Sequence, residues 1–255
     1  MKNLPKSINP TPIVSASIEI RFNINCPYEA VFGMLYSTLS SKYEKYEELP
    51  IVNIPEKIRI QDNLLETPHY RFYNEDSPFS LLVAPKLFVY VYSKQDLNND
   101  ANDYPGWSEF IYKELVELYE SIFKIGFIQD VYKLGIRYND FFKDINIFDH
   151  TTFNLVDTNH KRKDTISTQI TQTKHIDNTI NNISISNNAL FQNKFGKYNG
   201  SMIDTDTFMV NFDKEFKSNY KEYLQKCHAV NKKLFYENLK DEFIESLNPI
   251  YEDEL

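Results

Sequence analysis

Glycine is scarce in this chain, with 6 in 255 residues. Loops that cradle phosphate need a backbone that can approach without a Cβ, so a nucleotide-binding glycine loop is not expected. Neither a Walker loop nor a G-x-G-x-x-G turn occurs, and H-E-x-x-H and G-x-S-x-G are missing as well. Cysteine is limited to Cys26 and Cys227, with no C-x-x-C and no Cys/His ligand spacing. That excludes a zinc ribbon and points to a reducing cytoplasm. No run approaches ~18 uninterrupted apolar residues, so no membrane span is expected. The opening "MKNLPKSINPTPIV" holds three prolines and no long apolar run, and does not read as a signal peptide. Basic charge is in deficit: 28 Lys and Arg stand against 36 Asp and Glu, a net charge of −8. A duplex binder is expected to carry a basic face that replaces phosphate counterions, so nucleic acid is disfavoured as a partner. The one dense basic run, His160-Lys161-Arg162-Lys163, reads as a solvated loop tip.

The chain does have the means to build a core. It is 42% hydrophobic and 25% charged, the balance of a globular protein. "SASIEIRF" alternates: Ala16, Ile18, Ile20 and Phe22 point one way, Glu19 and Arg21 the other, as in a half-buried strand. Asn25 and Pro27 then open a helix striped by Val31, Met34, Leu35 and Leu39, with Ser40–Glu48 carrying it into solvent. Strands are expected near Ile58–Leu65, at His69–Glu75, and as a pair around Pro85-Lys86. From Trp107 to about Lys124 apolar residues recur at three and four, and Gly126 ends that helix. That stripe reads as core.

"IRFN" at Ile20–Asn23 then returns as "IRYN" at Ile136–Asn139. After it come a short turn at Asp144–His150, three β-like runs and a long helix from about Asp213, running on through Leu239, Phe243 and Leu247. Both halves can be written as strand, helical element, meander and long helix. The expectation is an α+β protein of two similar βαβββα-like halves, 1–128 and 129–255, fused into one unit. Their strands should join in a mostly antiparallel sheet with helices packed on one side. An old duplication and chance agreement over a four-residue fragment both explain the repeat. If the leading strands are neighbours, Ile136 and Tyr138 face the core. Glu19, Arg21, Arg137 and Asn139 then share a helix-free face that can bind a polar ligand or a protein partner.

Candidates for chemistry are few. Asp204 and Asp206, two apart on a strand, present two carboxylates to one side, the geometry for sharing a hard cation. The pattern is a weak one, and polar residues on a strand face account for it more simply. Cys227 and His228 diverge by about 100° around a helix and do not make a nucleophile–base pair. His228 and Asn231 form a polar pair beside the apolar stripe, either as a satisfied half-buried pair or as a ligand contact. Clustered aromatics such as "YRFY" read as core rather than as base-stacking platforms.

Four stretches, "LPKSINPTPIVSASIEIRF", "EAVFGMLYSTL", "LGIRYND" and "LQKCHAVNKKLFYENLKDEF", span nearly the whole chain. Together they resemble a sporadically distributed, uncharacterised prokaryotic family of proteins of about this length. Asn139 agrees with the family pattern, whereas Ser15 stands where many members carry an acidic residue. The resemblance carries over no catalytic residue. Its patchy distribution implies an accessory gene, such as a component of a mobile defence or toxin–antitoxin system. The resulting expectation is a non-enzymatic cytoplasmic protein without a cofactor, binding a protein partner or a small polar ligand. The alternatives are a metal-dependent hydrolase or nuclease using Asp204, Asp206 and His228, and a sensor whose variable part is Asp157–Asn188.

Overall fold

The computed structural model describes residues 4–61, 64–99, 103–153 and 167–251. The basic run at His160–Lys163 and the first part of the Asp157–Asn188 region lie outside them.

The alternating segment forms the long strand β2 (Ile13–Ile24), since β1 is a two-residue strand at Ser7–Ile8. It leads into α1 (Tyr28–Leu39), β3 (Lys45–Glu48), α2 (Glu56–Gln61), β4 (Tyr70–Tyr73), β5 (Phe79–Ala84) and β6 (Leu87–Ser93). A π-helical turn at Trp107–Ile111 runs directly into α3 (Tyr112–Ile125). Gly126, in the left-handed region at φ 87°, closes that helix, a conformation that costs glycine little. The second half holds β7 (Ile128–Lys143), β8 (Gln169–Ile176), β9 (Thr179–Asn193), β10 (Gly196–Met209), α4 (Phe216–Glu237), α5 (Asp241–Ser246) and β11 (Pro249–Ile250).

Nine of these strands form one sheet in the order β3-β4-β5-β6-β2-β7-β10-β9-β8, with every neighbouring pair antiparallel. The two leading strands, β2 and β7, pair at its centre. On each side the last strand of the meander lies next to its leading strand, and earlier strands follow outwards. The halves therefore repeat one another in order about the central pair. β1 and β11 form a separate two-stranded strap that ties the first described residues to the last.

Ile18, Ile20, Phe22, Leu134 and Ile136 are buried beneath α1, α3 and the first half of α4, against Leu35, Leu115, Ile122, Leu224 and Cys227. A second cluster packs Ile183, Ile185 and Ile203 under Leu234, Leu239, Phe243 and Ile8. Each large side chain so buried contributes about 1.5–3 kcal/mol. Among the described residues no helix is long and apolar enough to cross a membrane.

Three sequence expectations give way to local chemistry. α1 stops at Leu39 rather than running through Ser40–Glu48. The Ser37 and Ser41 hydroxyls donate back to the carbonyls of Met34 and Thr38, which competes with helix propagation. Tyr43 is buried beside Phe72, and Lys45–Glu48 becomes a charged edge strand, the composition that discourages further pairing. The expected strand near Ile58–Leu65 is replaced by α2 and a 3-10 turn at Leu64–Glu66, because the Pro55 carbonyl accepts from the amides of Ile58 and Arg59 and starts a turn. The final helix is broken at Asn238, whose side chain donates to the Leu234 carbonyl. The backbone beyond it leaves to bond Thr152 and His150, and Leu239 bridges Thr151.

Candidate functional site

The sheet has two faces, and the residues singled out in the sequence divide between them. On the helix-free face, Glu19 stands opposite Gly135. Arg21 lies two residues beyond Glu19, and Arg137 two beyond Gly135, so the two arginines are placed symmetrically about that pair. A Cβ on Gly135 would sit 3.1 Å from the Glu19 side chain, so glycine leaves the room in which Glu19 lies.

Both arginines are already engaged. Arg21 donates to Glu66 at 2.7 Å and to Glu19 at 3.3 Å, and Lys133 reaches the same Glu19 at 2.7 Å. Burial raises the Glu19 pKa, but Lys133 and Arg21 outweigh it and hold the carboxyl below its usual range. Arg137 grips Asp204 through two hydrogen bonds of 2.8 and 2.5 Å. Asn139 donates to the Ser15 hydroxyl at 2.8 Å. These are half-buried or exposed pairs that quench one another's charge, leaving this face little with which to recognise a polar ligand. The Arg137 side chain is 52% exposed, so its pair is worth under about 1 kcal/mol. Arg137→Ala should therefore shift a urea midpoint only slightly, which equilibrium unfolding will check.

Asp204 and Asp206 lie on this same helix-free face, opposite Asn139 and Arg137. Asp204 is held by Arg137, and burial raises the Asp206 carboxyl above its normal value. His228 lies on the other side of the sheet, on α4, stacked on Trp107. The expected constellation of Asp204, Asp206 and His228 therefore does not assemble, because alternate residues of β10 face opposite ways and the sheet separates the groups. Among the described residues no group of three metal-ligating side chains occurs.

The helix side holds a cavity of about 440 Å³, lined by β7, β10, α4, the strap and the Trp107 turn. A small molecule fits that volume. Asn231 and His228, one turn apart on α4, both line it. Asn231 is 1% exposed and saturated. Its amide donates to the Ile136 and Thr205 carbonyls at 3.1 and 3.2 Å, and its oxygen accepts from the Thr205 hydroxyl at 2.9 Å. It fastens α4 to the two strands beneath the cavity. The His228 ring stacks on Trp107 at 4.2 Å with 1° between planes. Trp107 is held in turn by its indole N–H donating to Gln225 at 3.0 Å. Burial drives the His228 pKa down to about 3, so the ring is neutral at physiological pH. Its neighbour Cys227 is fully buried, and burial pushes that thiol up to about 12, which leaves it inert.

The residue that defines the cavity was not singled out from the sequence. Asp140 is 4% exposed, lines the cavity, and has neither a hydrogen-bonding partner nor a counter-ion among the described residues. Burial, with Asp204 adding repulsion, pushes its carboxyl up to about 8. Beside it the hydroxyls of Tyr104 and Tyr138 meet at 2.9 Å. Tyr236 also lines the wall, and burial raises its hydroxyl pKa too. The signal was present: alternation placed Ile136 and Tyr138 towards the core, and two residues further along the same strand is Asp140.

No protein-family model matches the chain, and no curated protein matches it.

Proposed function

We propose that the protein is a binder of a small polar ligand, with its site in the cavity between α4 and the central strands. One observation carries this reading: the Asp140 carboxyl is buried at the cavity wall with no partner among the described residues. The described residues give that carboxyl no hydrogen bond and no ion pair, so a donor entering the cavity meets an acceptor that the fold leaves free. The surroundings support binding more than catalysis. The histidine is neutral and stacked, Asn231 is saturated, and the thiol is inert. The family resemblance extends the proposal to a cytoplasmic accessory role, with the bound molecule as the signal the protein reports. A protein partner on the helix-free face is the weaker reading, because its charged groups already satisfy one another.

Thermal denaturation with a panel of small alcohols, amines and carboxylic acids tests the site. A ligand at about 100 times its Kd stabilises by about 2.7 kcal/mol, a shift of several degrees. The expected result is a shift for at least one chemical class in the wild type. That shift should be lost in Ser108→Trp, which puts a bulky ring at the cavity rim. No shift with any class would contradict the proposal.

A further inference from the structure

Given that the cavity is a ligand site, on which this inference rests, its chemistry narrows the class of ligand. We propose that the ligand is a small organic ammonium compound, its N–H groups donating to the Asp140 carboxylate while aromatic faces surround its hydrocarbon part.

Three observations converge. First, the acid is the one group on the wall that is both buried and without a counter-ion among the described residues. A charge-assisted N–H···O⁻ bond is the strongest contact it can form. Second, Tyr104, Trp107, Tyr138, Phe235 and Tyr236 line the same space, an aromatic wall suited to the hydrocarbon part of such a ligand. Third, the other charged groups around the cavity are engaged. Lys6 pairs with Glu109 at 2.5 Å, and Asp103 pairs with Lys94. Lys232, which also lines the wall, has a contact of its own. His228 stays neutral and does not repel a cation. Tyr104 and Tyr138 bond each other, and burial raises both hydroxyl pKa values, so neither they nor Tyr236 supplies a negative charge. Asp204 acts on Asp140 electrostatically but is tied to Arg137.

The proton balance is set by the same carboxyl. In the free protein at neutral pH, Asp140 is a neutral acid. An ammonium ion entering the cavity forms a pair with the carboxylate, and the displaced proton leaves to solvent. Binding should release about one proton and tighten as pH rises from about 6 to 8, where the carboxylate costs progressively less to form.

Isothermal titration with matched probes tests this. The probes are propylamine, propanol and propionate, and 2-phenylethylamine, 2-phenylethanol and phenylacetate. The amines should bind at least about 10-fold tighter than their alcohols. Asp140→Asn should remove most of that advantage. Titration in two buffers of different ionisation enthalpy should show proton release for the amines alone, a readout on the wild type that needs no variant. Alcohols or carboxylates binding as tightly as amines would overturn the ammonium proposal and leave the cavity as a ligand site. No binding by any of the six probes would count against both.

Discussion

Replacing Asp140 by Asn stabilises the protein at pH 7 by on the order of 4 kcal/mol, or about 10 °C in melting temperature. The expectation follows from a buried carboxyl whose pKa is raised from 3.8 to about 8. Between those values the unfolded chain has lost a proton that the native protein keeps, so native stability falls as pH rises through the window. His228 works in the opposite sense, since its pKa is lowered from 6.5 to about 3. Below 6.5 the unfolded chain gains a proton that the native ring refuses, so stability falls as pH drops. From about pH 4 to 6.5 the two slopes cancel, and above 6.5 only Asp140 acts. These two groups together give a plateau that falls away by about 1 kcal/mol between pH 6.5 and 8. In Asp140→Asn the fall disappears and the plateau becomes a rise from pH 3 to 6.5, as His228 is left unopposed. Urea denaturation at half-unit pH steps measures both curves. Parallel curves would show that Asp140 titrates normally.

The second large effect is at Asn231. Truncation to Ala removes three hydrogen bonds from a fully buried position and leaves the Thr205 hydroxyl, 0% exposed, without its acceptor. The loss should be about 3–5 kcal/mol, combining the unmet hydroxyl with the space left behind. Asn231→Ala/Thr205→Val should recover part of it, because removing both partners spares the cost of a stranded polar group. A coupling of at least about 1 kcal/mol in that double-mutant cycle is expected. Strictly additive losses would mean that α4 is held to the sheet by apolar packing alone.

The sheet was legible in the residues because period-two alternation is strong in β2 and β7. Ile18, Ile20 and Phe22 are buried where the pattern puts them, and Glu19 and Arg21 are on the other face. The repeated Ile-Arg-aromatic fragment marks the two strands that pair at the centre. The α1 ending and the α2 helix were not legible, because serine back-bonding and proline-started turns override a short apolar pattern. The site was half legible. His228 and Asn231 stand out by their spacing on one helix and both line the cavity, whereas Asp204 and Asp206, grouped with His228, are divided from it by the sheet. Exposed charge draws attention in a sequence, and only tertiary pairing reveals that Arg137 is taken up by Asp204. Asp140 was passed over because a carboxylate in "YNDFF" looks like surface. Its parity with Tyr138 was the contrary clue.

The ionisation of the Asp140 carboxyl itself is the most direct test of the cavity as a built ligand site. Carbon-detected NMR titration of labelled protein, with Asp140→Asn to assign the signal, should give a midpoint near 8 in the free protein. Saturating 2-phenylethylamine should then drive that midpoint below neutrality. A free-protein midpoint at the ordinary aspartate value of about 4 would contradict the account, since the carboxyl would then be hydrated or already paired.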